Sequence, residues 1–437
     1  MSDATARPLG FKWEASAEDD VFRKVAIRLV PFLFLCYLAA YLDRVNVGFA
    51  KLQMQKELAF SETVYGFGAG IFFLGYVLFE VPSNIILHKV GARLWLARVM
   101  ITWAFISAGT AFVSSPTSFY IMRFLLGVAE AGFIPGVLLY LTHWFPAARR
   151  GRVTALFLTA IPMASIFGGP LSGWILSAIS GAHGFSGWQW LFLIEAIPSL
   201  AFGIAILFYL DDRIEDAKWL DSHEKRMVSA IMAREHEEKE DLSELRHAFV
   251  TPRVWLLSAA YFCIASGIYI VSFWLPTIIK QTGVADPFKI GLLTAIPYLV
   301  AVGAMITVCG RADRKKERRW HTAAPAAVAA IGLAITAAAT GNTLVAMIGM
   351  TLAAAGASTS QSSFWTLPAS FLGGMAAAAG IALVNSVGNI AGFASTYAVG
   401  WLADLTHSNV ASLYLFGGVL LLGGILVLFI PPSLVNK

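Results

Sequence analysis

The sequence LAAYLDRVNVGFA, residues 38–50, places a carboxylate and a guanidinium side by side near the end of the first apolar run of the chain. A charge at the centre of a membrane-spanning helix costs about 2.5–3.5 kcal/mol, whereas one Leu or Phe returns only about 0.3–0.6 kcal/mol. Such charges persist where they pair, face the interior of a helix bundle or line a water-filled cavity. On a helix, Asp43 and Arg44 would project about 100° apart, so one can face a cavity while the other meets a neighbouring helix. We interpret this run as half of a site that handles protons and anions inside a membrane.

The whole chain has the composition of a membrane protein with many spans. Its 437 residues are 57% hydrophobic and 14% charged, and the mean hydropathy is +0.69. Apolar residues recur in blocks of about 20, which is the length that crosses a bilayer. The net charge of +5 does not indicate nucleic acid binding, because the basic residues fall in short loops between the blocks. Cys36, Cys263 and Cys309 lie within apolar blocks without metal-ligand spacing, so we expect neither a metal site nor a cofactor.

Twelve apolar runs predict an all-α integral membrane protein. A single long polar stretch, residues 211–253, separates the sixth run from the seventh. We therefore divide the chain into an amino-terminal six-helix half (1–210), a cytoplasmic linker (211–253) and a carboxy-terminal six-helix half (254–437). The runs cover about residues 29–50, 65–87, 94–113, 119–144, 153–179, 190–210, 254–279, 290–309, 323–339, 344–371, 377–403 and 412–430.

The basic loops predict the orientation of the chain in the membrane. Lys and Arg cluster on alternate connections, and the connections between them are almost free of both residue types. Because basic loops stay on the cytoplasmic side, both termini and the linker are predicted to be cytoplasmic. The basic clusters are Arg23/Lys24/Arg28, Lys89/Arg93, Arg149/Arg150/Arg152, the linker, and the run from Arg311 to Arg319.

Two short matches suggest that the second half repeats the first. His88-Lys89 after the second run corresponds to Asp313-Arg314 after the eighth, and Gly173-Trp174 corresponds to Gly400-Trp401. Both matches have an offset of about 225 residues, as expected for parallel repeats in a two-half transporter. The two halves are therefore predicted to be pseudo-symmetric.

Five segments resemble the major facilitator superfamily and, within it, the anion:cation symporter branch. The resemblance implies twelve helices in two halves and proton-driven uptake of small organic anions such as hexuronates, aldonates, tartrate, phthalate or hydroxyphenylacetate. It also implies gating roles for Lys89, Arg93, Asp313 and Arg314, although Asn84 and His88 depart from the first copy of the superfamily's loop signature and Cys309 from the second. The five segments are residues 41–46, 76–84, 123–132, 168–173 and 385–392.

The charges of the first and fourth spans are the predicted coupling site. Arg123 and Glu130 lie about two helical turns apart, so each needs a partner from another helix, and Asp43 and Arg44 are available. We expect Arg44 to bind the substrate carboxylate through its planar fork. Asp43 and Glu130 would carry protons, and Arg123 would hold a carboxylate when it is ionised. The alternative is a fixed Asp43–Arg123 salt bridge that only holds helices together.

Polar and aromatic side chains on the first span and on three other spans are predicted to line the substrate site. Tyr hydroxyls could donate to substrate oxygens, although packed or interfacial tyrosines are equally consistent with the pattern. Polar stripes on apolar helices can also act only as contacts between helices. We predict Glu80 and Glu195, toward opposite ends of their spans, to be structural or gating charges. The predicted lining residues are Tyr41, Tyr76, Gln361, Ser362, Trp365, Asn385 and Asn389.

Together these patterns predict a transporter and not an enzyme. No nucleophile elbow, phosphate loop or zinc spacing occurs in the sequence. We expect a monomeric, proton-coupled symporter that imports a small carboxylate across the bacterial inner membrane by alternating access. An anion exchanger or a proton-independent uniporter of the same fold is the alternative.

Overall fold

A computed structural model describes residues 15–237, 251–339, 341–368 and 374–436, and every regular element in these ranges is a helix. Nine α-helices precede the linker. They are α1 (Ala15–Val45), α2 (Val47–Glu57), α3 (Glu62–Val90), α4 (Ala92–Gly109), α5 (Pro116–Glu130), α6 (Phe133–Trp144), α7 (Ala147–Leu158), α8 (Ala160–Ala178) and α9 (Gly187–Tyr209).

One described helix lies in the linker and seven follow it. They are α10 (Ser222–Glu237), α11 (Pro252–Gln281), α12 (Pro287–Lys315), α13 (Arg319–Ala338), α14 (Thr343–Phe364), α15 (Gly374–Thr406), α16 (Val410–Leu428) and the short α17 (Pro432–Val435). The predicted linker charges Glu238, Lys239 and Glu240 fall outside the described residues, as do residues 1–14.

The helices provide the twelve crossings that the sequence predicts. Eleven segments are long and apolar enough to span a membrane, and in three of them two consecutive helices form one crossing: α1 with α2, α5 with α6, and α7 with α8. The remaining long helix, α15, has 33 residues. The expected all-α, twelve-helix membrane fold is therefore confirmed.

The described part of the linker packs at the end of the bundle where α1 begins, which we call the linker end. Lys24 Nζ lies 2.7 Å from Glu224 Oε2, and the Tyr140 hydroxyl donates to the backbone carbonyl of Asp211 at 2.9 Å. These contacts attach the linker to the first six crossings. The opposite end of the bundle is called the far end.

Three helix pairs in the described ranges join the crossings before the linker to those after it: α3 with α15, α8 with α12 and, less extensively, α2 with α11. Glycines bring the backbones together at the far end of the first two pairs. A Cβ atom on Gly66 would lie 3.2 Å from the Gly400 Cα, and one on Gly173 would lie 3.2 Å from the Gly291 Cα. Helices approach this closely only where side chains are absent.

Polar contacts add to this closure of the far end. The Asp404 carboxylate, at the end of α15, accepts hydrogen bonds from the backbone amides of Glu62 and Thr63 at 3.0 and 2.8 Å. These amides belong to the first turn of α3, where the helix dipole favours a negative charge. Lys280 Nζ on α11 donates to the Leu52 carbonyl of α2 at 2.7 Å. The two sets of crossings are therefore held together at the far end.

The fourth crossing is interrupted in its middle. Helix α5 ends at Glu130, and α6 begins after Gly132, whose φ of 87° lies in the left-handed region. A Cβ atom at Gly132 would lie 2.7 Å from the Ser83 Cβ, so space and backbone conformation both require glycine. The first crossing is also interrupted, at Asn46 between α1 and α2. Both interruptions follow directly after charged residues of the predicted site.

Candidate functional site

A buried ion pair joins the two interrupted crossings. The Arg44 guanidinium, in the last turn of α1, donates to Oε1 of Glu130, the last residue of α5. Arg44 is 6% exposed and Glu130 is 2% exposed. Both residues lie at the carboxyl ends of their helices, where the helix dipoles favour a cation. The backbone dipole of α1 therefore stabilises the charge of Arg44. The dipole of α5 does not stabilise the Glu130 carboxylate, which depends on Arg44 for its charge balance.

Aromatic rings surround the Arg44 guanidinium. Its central carbon lies 5.8 Å from the ring centre of Tyr41, 5.3 Å from that of Phe72 and 5.5 Å from that of Tyr76. Ring faces at these distances attract a cation that has lost its water. Tyr41 and Tyr76, which the sequence predicts to line the site, thus lie next to Arg44.

Asp43 does not take part in this ion pair. Its Oδ1 accepts from the Ser107 hydroxyl at 2.8 Å, and its Oδ2 accepts from the Trp103 indole at 3.1 Å and the Ser199 hydroxyl at 2.5 Å. All three donors are neutral and lie on α4 and α9. Asp43 thus projects from α1 in a direction different from that of Arg44.

Arg123 is the second guanidinium of the site and is completely buried. None of its three side-chain nitrogens has a hydrogen-bond partner among the described residues. Its central carbon lies 5.2 Å from the ring centre of Phe72, the ring that also faces Arg44. The fixed Asp43–Arg123 salt bridge, which the sequence leaves as an alternative, does not form in this structure.

The crossings after the linker contribute neutral polar groups. The Tyr41 hydroxyl lies 3.5 Å from Ser272 Oγ on α11, and the Tyr269 hydroxyl donates to Asn389 Oδ1 at 3.3 Å. Asn385 Nδ2 donates to Glu80 Oε1 at 3.3 Å, which links α15 to α3. Asn385 and Asn389 therefore lie where the two sets of crossings meet.

The polar stripe of α14 makes different contacts at each position. Gln361 Nε2 donates to the Tyr261 hydroxyl at 2.9 Å, and the Trp365 ring meets the Tyr261 ring edge-to-face with the ring centres 4.7 Å apart. The Ser362 hydroxyl donates instead to the Ser358 carbonyl of its own helix at 2.9 Å. Gln361 and Trp365 thus form one cluster with Tyr261, and Ser362 makes no hydrogen bond to that cluster.

The predicted gating residues do not meet one another. Lys89 lies in the last turn of α3 with an exposed side chain, and the Arg93 backbone amide donates to Asp212 of the linker at 2.8 Å. Asp313 and Arg314 are exposed near the end of α12, where Arg314 Nε donates to the Gly310 carbonyl at 3.1 Å. No hydrogen bond or ion pair joins the first two of these residues to the last two. The far end, and not this linker-end group, holds the closing contacts described above.

Several site residues escape the sequence analysis. Lys51, which the sequence places in a loop, is buried in α2, with Nζ 2.5 Å from Glu62 Oε2 and 3.7 Å from the ring centre of Trp274. Tyr261 and Tyr269 look like ordinary aromatic residues of an apolar run. One signal for Lys51 is available, because residues 47–57 contain no helix breaker after Gly48.

Comparison with known proteins identifies the family. The profile of the Major Facilitator Superfamily matches residues 33–396. The chain belongs to the major facilitator superfamily. Within the superfamily it is 49% identical over 418 residues to NicT of Pseudomonas putida, which is named as a candidate metabolite transport protein. The alignment covers 95% of this chain and 96% of that protein. It is 48% identical over 417 residues to a candidate tartrate transporter of Agrobacterium vitis, covering 95% of this chain and 92% of the relative. These relatives are consistent with the anion:cation symporter branch.

Solved structures of superfamily members share the fold. A crystal structure of a D-xylose–proton symporter superposes with a TM-score of 0.75 at 17% identity, covering 94% of this chain and 99% of that chain. The inward open conformation of the xylose transporter XylE from E. coli gives a TM-score of 0.73 at 14% identity, covering 93% and 96% of the two chains. At these identities the likeness concerns the fold alone. The chain is a transporter of the superfamily and not an enzyme.

Proposed function

We propose that this transporter is a proton-coupled symporter that imports a small organic anion by alternating access. The observation that carries the proposal is the buried Arg44–Glu130 ion pair beside the contact between the two halves. A guanidinium in this position can bind either the protein's own carboxylate or the carboxylate of a substrate. Competition between the two acids for one cation would couple substrate binding to the protonation of Glu130.

Protonation of Glu130 is the step that would free Arg44. A neutral carboxylic acid no longer balances the guanidinium, so an incoming carboxylate restores the charge balance of the buried site. Loss of the proton on the cytoplasmic side would return Glu130 to Arg44 and release the substrate. In this mechanism Asp43 is a second proton-carrying residue, and Arg123 holds a carboxylate in another stage of the cycle.

The remainder of the substrate would contact neutral groups. No Asp, Glu, Lys or Arg occurs between residues 320 and 403, and the same is true of residues 254–279 and 290–310. A carboxylate held by Arg44 would thus present its hydroxyl groups or ring to amides, hydroxyls and aromatic rings of the second half. The proposed contacts are Tyr41, Tyr76, Gln361, Ser362, Trp365, Asn385 and Asn389. Tartrate, phthalate and sugar acids fit this chemistry, and the name of the A. vitis relative supports tartrate as the first acid to test.

The proposed transport cycle moves residues 1–210 against residues 254–437. The linker end would face the cytoplasm of a bacterial cell across the inner membrane, because basic loops recur at that end. Lys89, Arg93, Asp313 and Arg314 would form gating contacts when this end closes. One chain contains both halves and the complete site, so we propose that it works as a monomer.

Uptake by purified protein in proteoliposomes tests the proposal. A panel of carboxylates including L-tartrate, phthalate and D-galactonate is first screened by thermal shift, and each stabilising acid is then offered in radiolabelled form. An inwardly directed proton gradient should drive accumulation by the wild-type protein and not by E130Q. Both proteins should be compared with empty liposomes and with an equal pH on both sides.

The exchange alternative gives a different result in the same vesicles. An exchanger accumulates label only when the vesicles are preloaded with unlabelled anion, and it ignores the proton gradient. Gradient-independent uptake by the wild-type protein would therefore contradict proton coupling and favour an exchanger or a uniporter.

A further inference from the structure

A second group of buried acids lies beside the Arg44–Glu130 pair. Glu195, on α9, is 1% exposed, and the Ser172 hydroxyl on α8 donates to its Oε1 at 2.6 Å. Its other oxygen, Oε2, has no hydrogen-bond partner in the described part of the chain. A buried carboxylate needs more than one neutral donor to replace its lost hydration. Glu195 is therefore poorly compensated as an anion.

Helix α9 brings Glu195 close to Asp43. Ser199 follows Glu195 by one helical turn, so both side chains lie on the same face of α9. The Ser199 hydroxyl donates to Asp43 Oδ2 at 2.5 Å, which places the Asp43 carboxylate about one helical turn from Glu195. Asp43 and Glu195 are thus neighbours across the contact between α1 and α9.

Among the described residues, no cation forms a hydrogen bond or ion pair with either acid. The donors to Asp43 and Glu195 are three serine hydroxyls and one indole, and the Asn46 amide lies beside Glu195; all of these groups are neutral. The other ionisable groups that act on Asp43 are Glu130, which is already paired with Arg44, and Arg123, which donates no hydrogen bond to it. Two neighbouring carboxyl groups without a cation disfavour each other's ionisation, so one of the two retains its proton.

We propose that Asp43 and Glu195 form a buried acid pair that keeps one proton between them while Arg44 is paired with Glu130. Asp43 accepts three hydrogen bonds, whereas Glu195 accepts one from Ser172 and has only the Asn46 amide beside it, so the proton resides mainly on Glu195. Glu195 is then a proton-binding residue and not merely a structural or gating charge. The role of the acid pair in transport rests on the proposed proton coupling. The shared proton itself can be tested without any substrate.

Infrared difference spectroscopy of the purified full-length protein in detergent tests the pair directly. A protonated carboxyl group has a C=O stretching band that is separate from the carboxylate bands, so its intensity can be followed against pH. The wild-type protein should show such a band at neutral pH, and E195Q should lose the part that Glu195 contributes, since Asp43 then ionises with its three donors intact. Glu80, whose Oε2 also has no hydrogen-bond partner among the described residues, can contribute the rest. E195D should retain the band at a shifted frequency, which guards against a folding defect of the amide variant.

Coupling between the two acids provides the second measurement. In D43N the Glu195 band should titrate at a pH lower by at least about one unit, because the neighbouring negative charge has been removed. E57Q is the matched control: Glu57 accepts hydrogen bonds from Ser186 and Trp188 near the start of α9, yet its side chain is exposed. It should leave the band and its midpoint unchanged.

Two outcomes would overturn the acid pair. One is a neutral-pH carboxyl band that persists unchanged in E195Q, and the other is a midpoint that D43N does not move. Neither outcome depends on transport, so failure of the pair and failure of the symport proposal are distinguishable.

Discussion

Neutralising one partner of the Arg44–Glu130 pair should destabilise the protein more than neutralising both. In E130Q the Arg44 cation stays buried without its anion, and in R44Q Glu130 loses its cation and must stay a buried anion or take up a proton. Breaking a buried pair from one side costs about 3–5 kcal/mol, since an uncompensated charge remains. Two unit charges about 4 Å apart attract by about 4 kcal/mol at the effective dielectric of a protein site, which agrees with that range.

The double variant R44Q/E130Q removes both charges and leaves two amides that can bond to each other. It should therefore be more stable than either single variant by at least about 1 kcal/mol. Stability is measured by SDS titration of the protein in detergent micelles, with helix content followed by circular dichroism. The four proteins form a double-mutant cycle whose coupling free energy isolates the pair.

The exposed Lys24–Glu224 pair at the linker end is the matched control. Its Lys24 side chain is 46% exposed and its Glu224 side chain 16% exposed, against 7% and 3% for Arg44 and Glu130, so the same cycle with K24Q and E224Q should give a coupling of about 1 kcal/mol or less. Additive losses in the Arg44–Glu130 cycle, or a double variant less stable than both single variants, would refute the view that these charges depend on each other.

Three further predictions follow from other parts of the site. R123M should raise stability by about 1–4 kcal/mol while it lowers uptake, because it removes a buried charge that has no hydrogen-bond partner among the described residues. The same SDS titration and proteoliposome uptake measure the two effects. R123K, which keeps the charge, is the control. G132A should lower the free energy of unfolding by at least about 1–2 kcal/mol, because residue 132 has a left-handed φ. G132A/S83A should recover only the part of that loss caused by contact with Ser83. A full recovery would show that the backbone is not strained. D404A removes both acceptors from the first turn of α3 and should weaken that contact by about 0.5–2 kcal/mol. Thiol labelling of a single cysteine placed at the far end should then rise about 2- to 30-fold. D313A, at the exposed end of α12, should leave the labelling unchanged.

Much of the fold follows from the sequence because the bilayer imposes strong rules. Apolar length predicts the crossings, and their number agrees with the structure. Helix interruptions are harder to predict. Gly132 gives a local signal for the break after Glu130, but Asn46 has ordinary helical dihedral angles and its neighbours carry no comparable signal.

The membership of the buried charge cluster could be predicted, but its pairing could not. Asp43, Arg44, Arg123 and Glu130 are conspicuous because charges are costly inside a membrane. Which of them meet depends on helix rotation and on the donors that neighbouring helices supply, such as Trp103 and Ser199 for Asp43. The sequence does not reveal those tertiary contacts, so an Asp43–Arg123 ion pair remains as plausible from it as an Arg44–Glu130 ion pair.

Lys51 illustrates a different limit. Charged residues after a long apolar run are expected in a loop, because loops usually carry them. The structure instead continues the crossing through α2 and covers the Lys51 ammonium with Trp274 from the other half. That burial requires a tertiary partner more than 200 residues away, which periodicity along α2 does not reveal.

The glycines that bring α3 against α15 and α8 against α12 also bear on how temperature affects the transporter. Glycine adds no apolar side chain to these contacts, so their own share of the heat-capacity change on separating the helices is small, since that quantity follows the apolar area exposed. The ring of Phe67 on α3 packs against Phe393 and Tyr397 on α15, so separation of this pair would also expose aromatic surface. The curvature of the free energy of separation against temperature should therefore depend on these rings more than on the glycines.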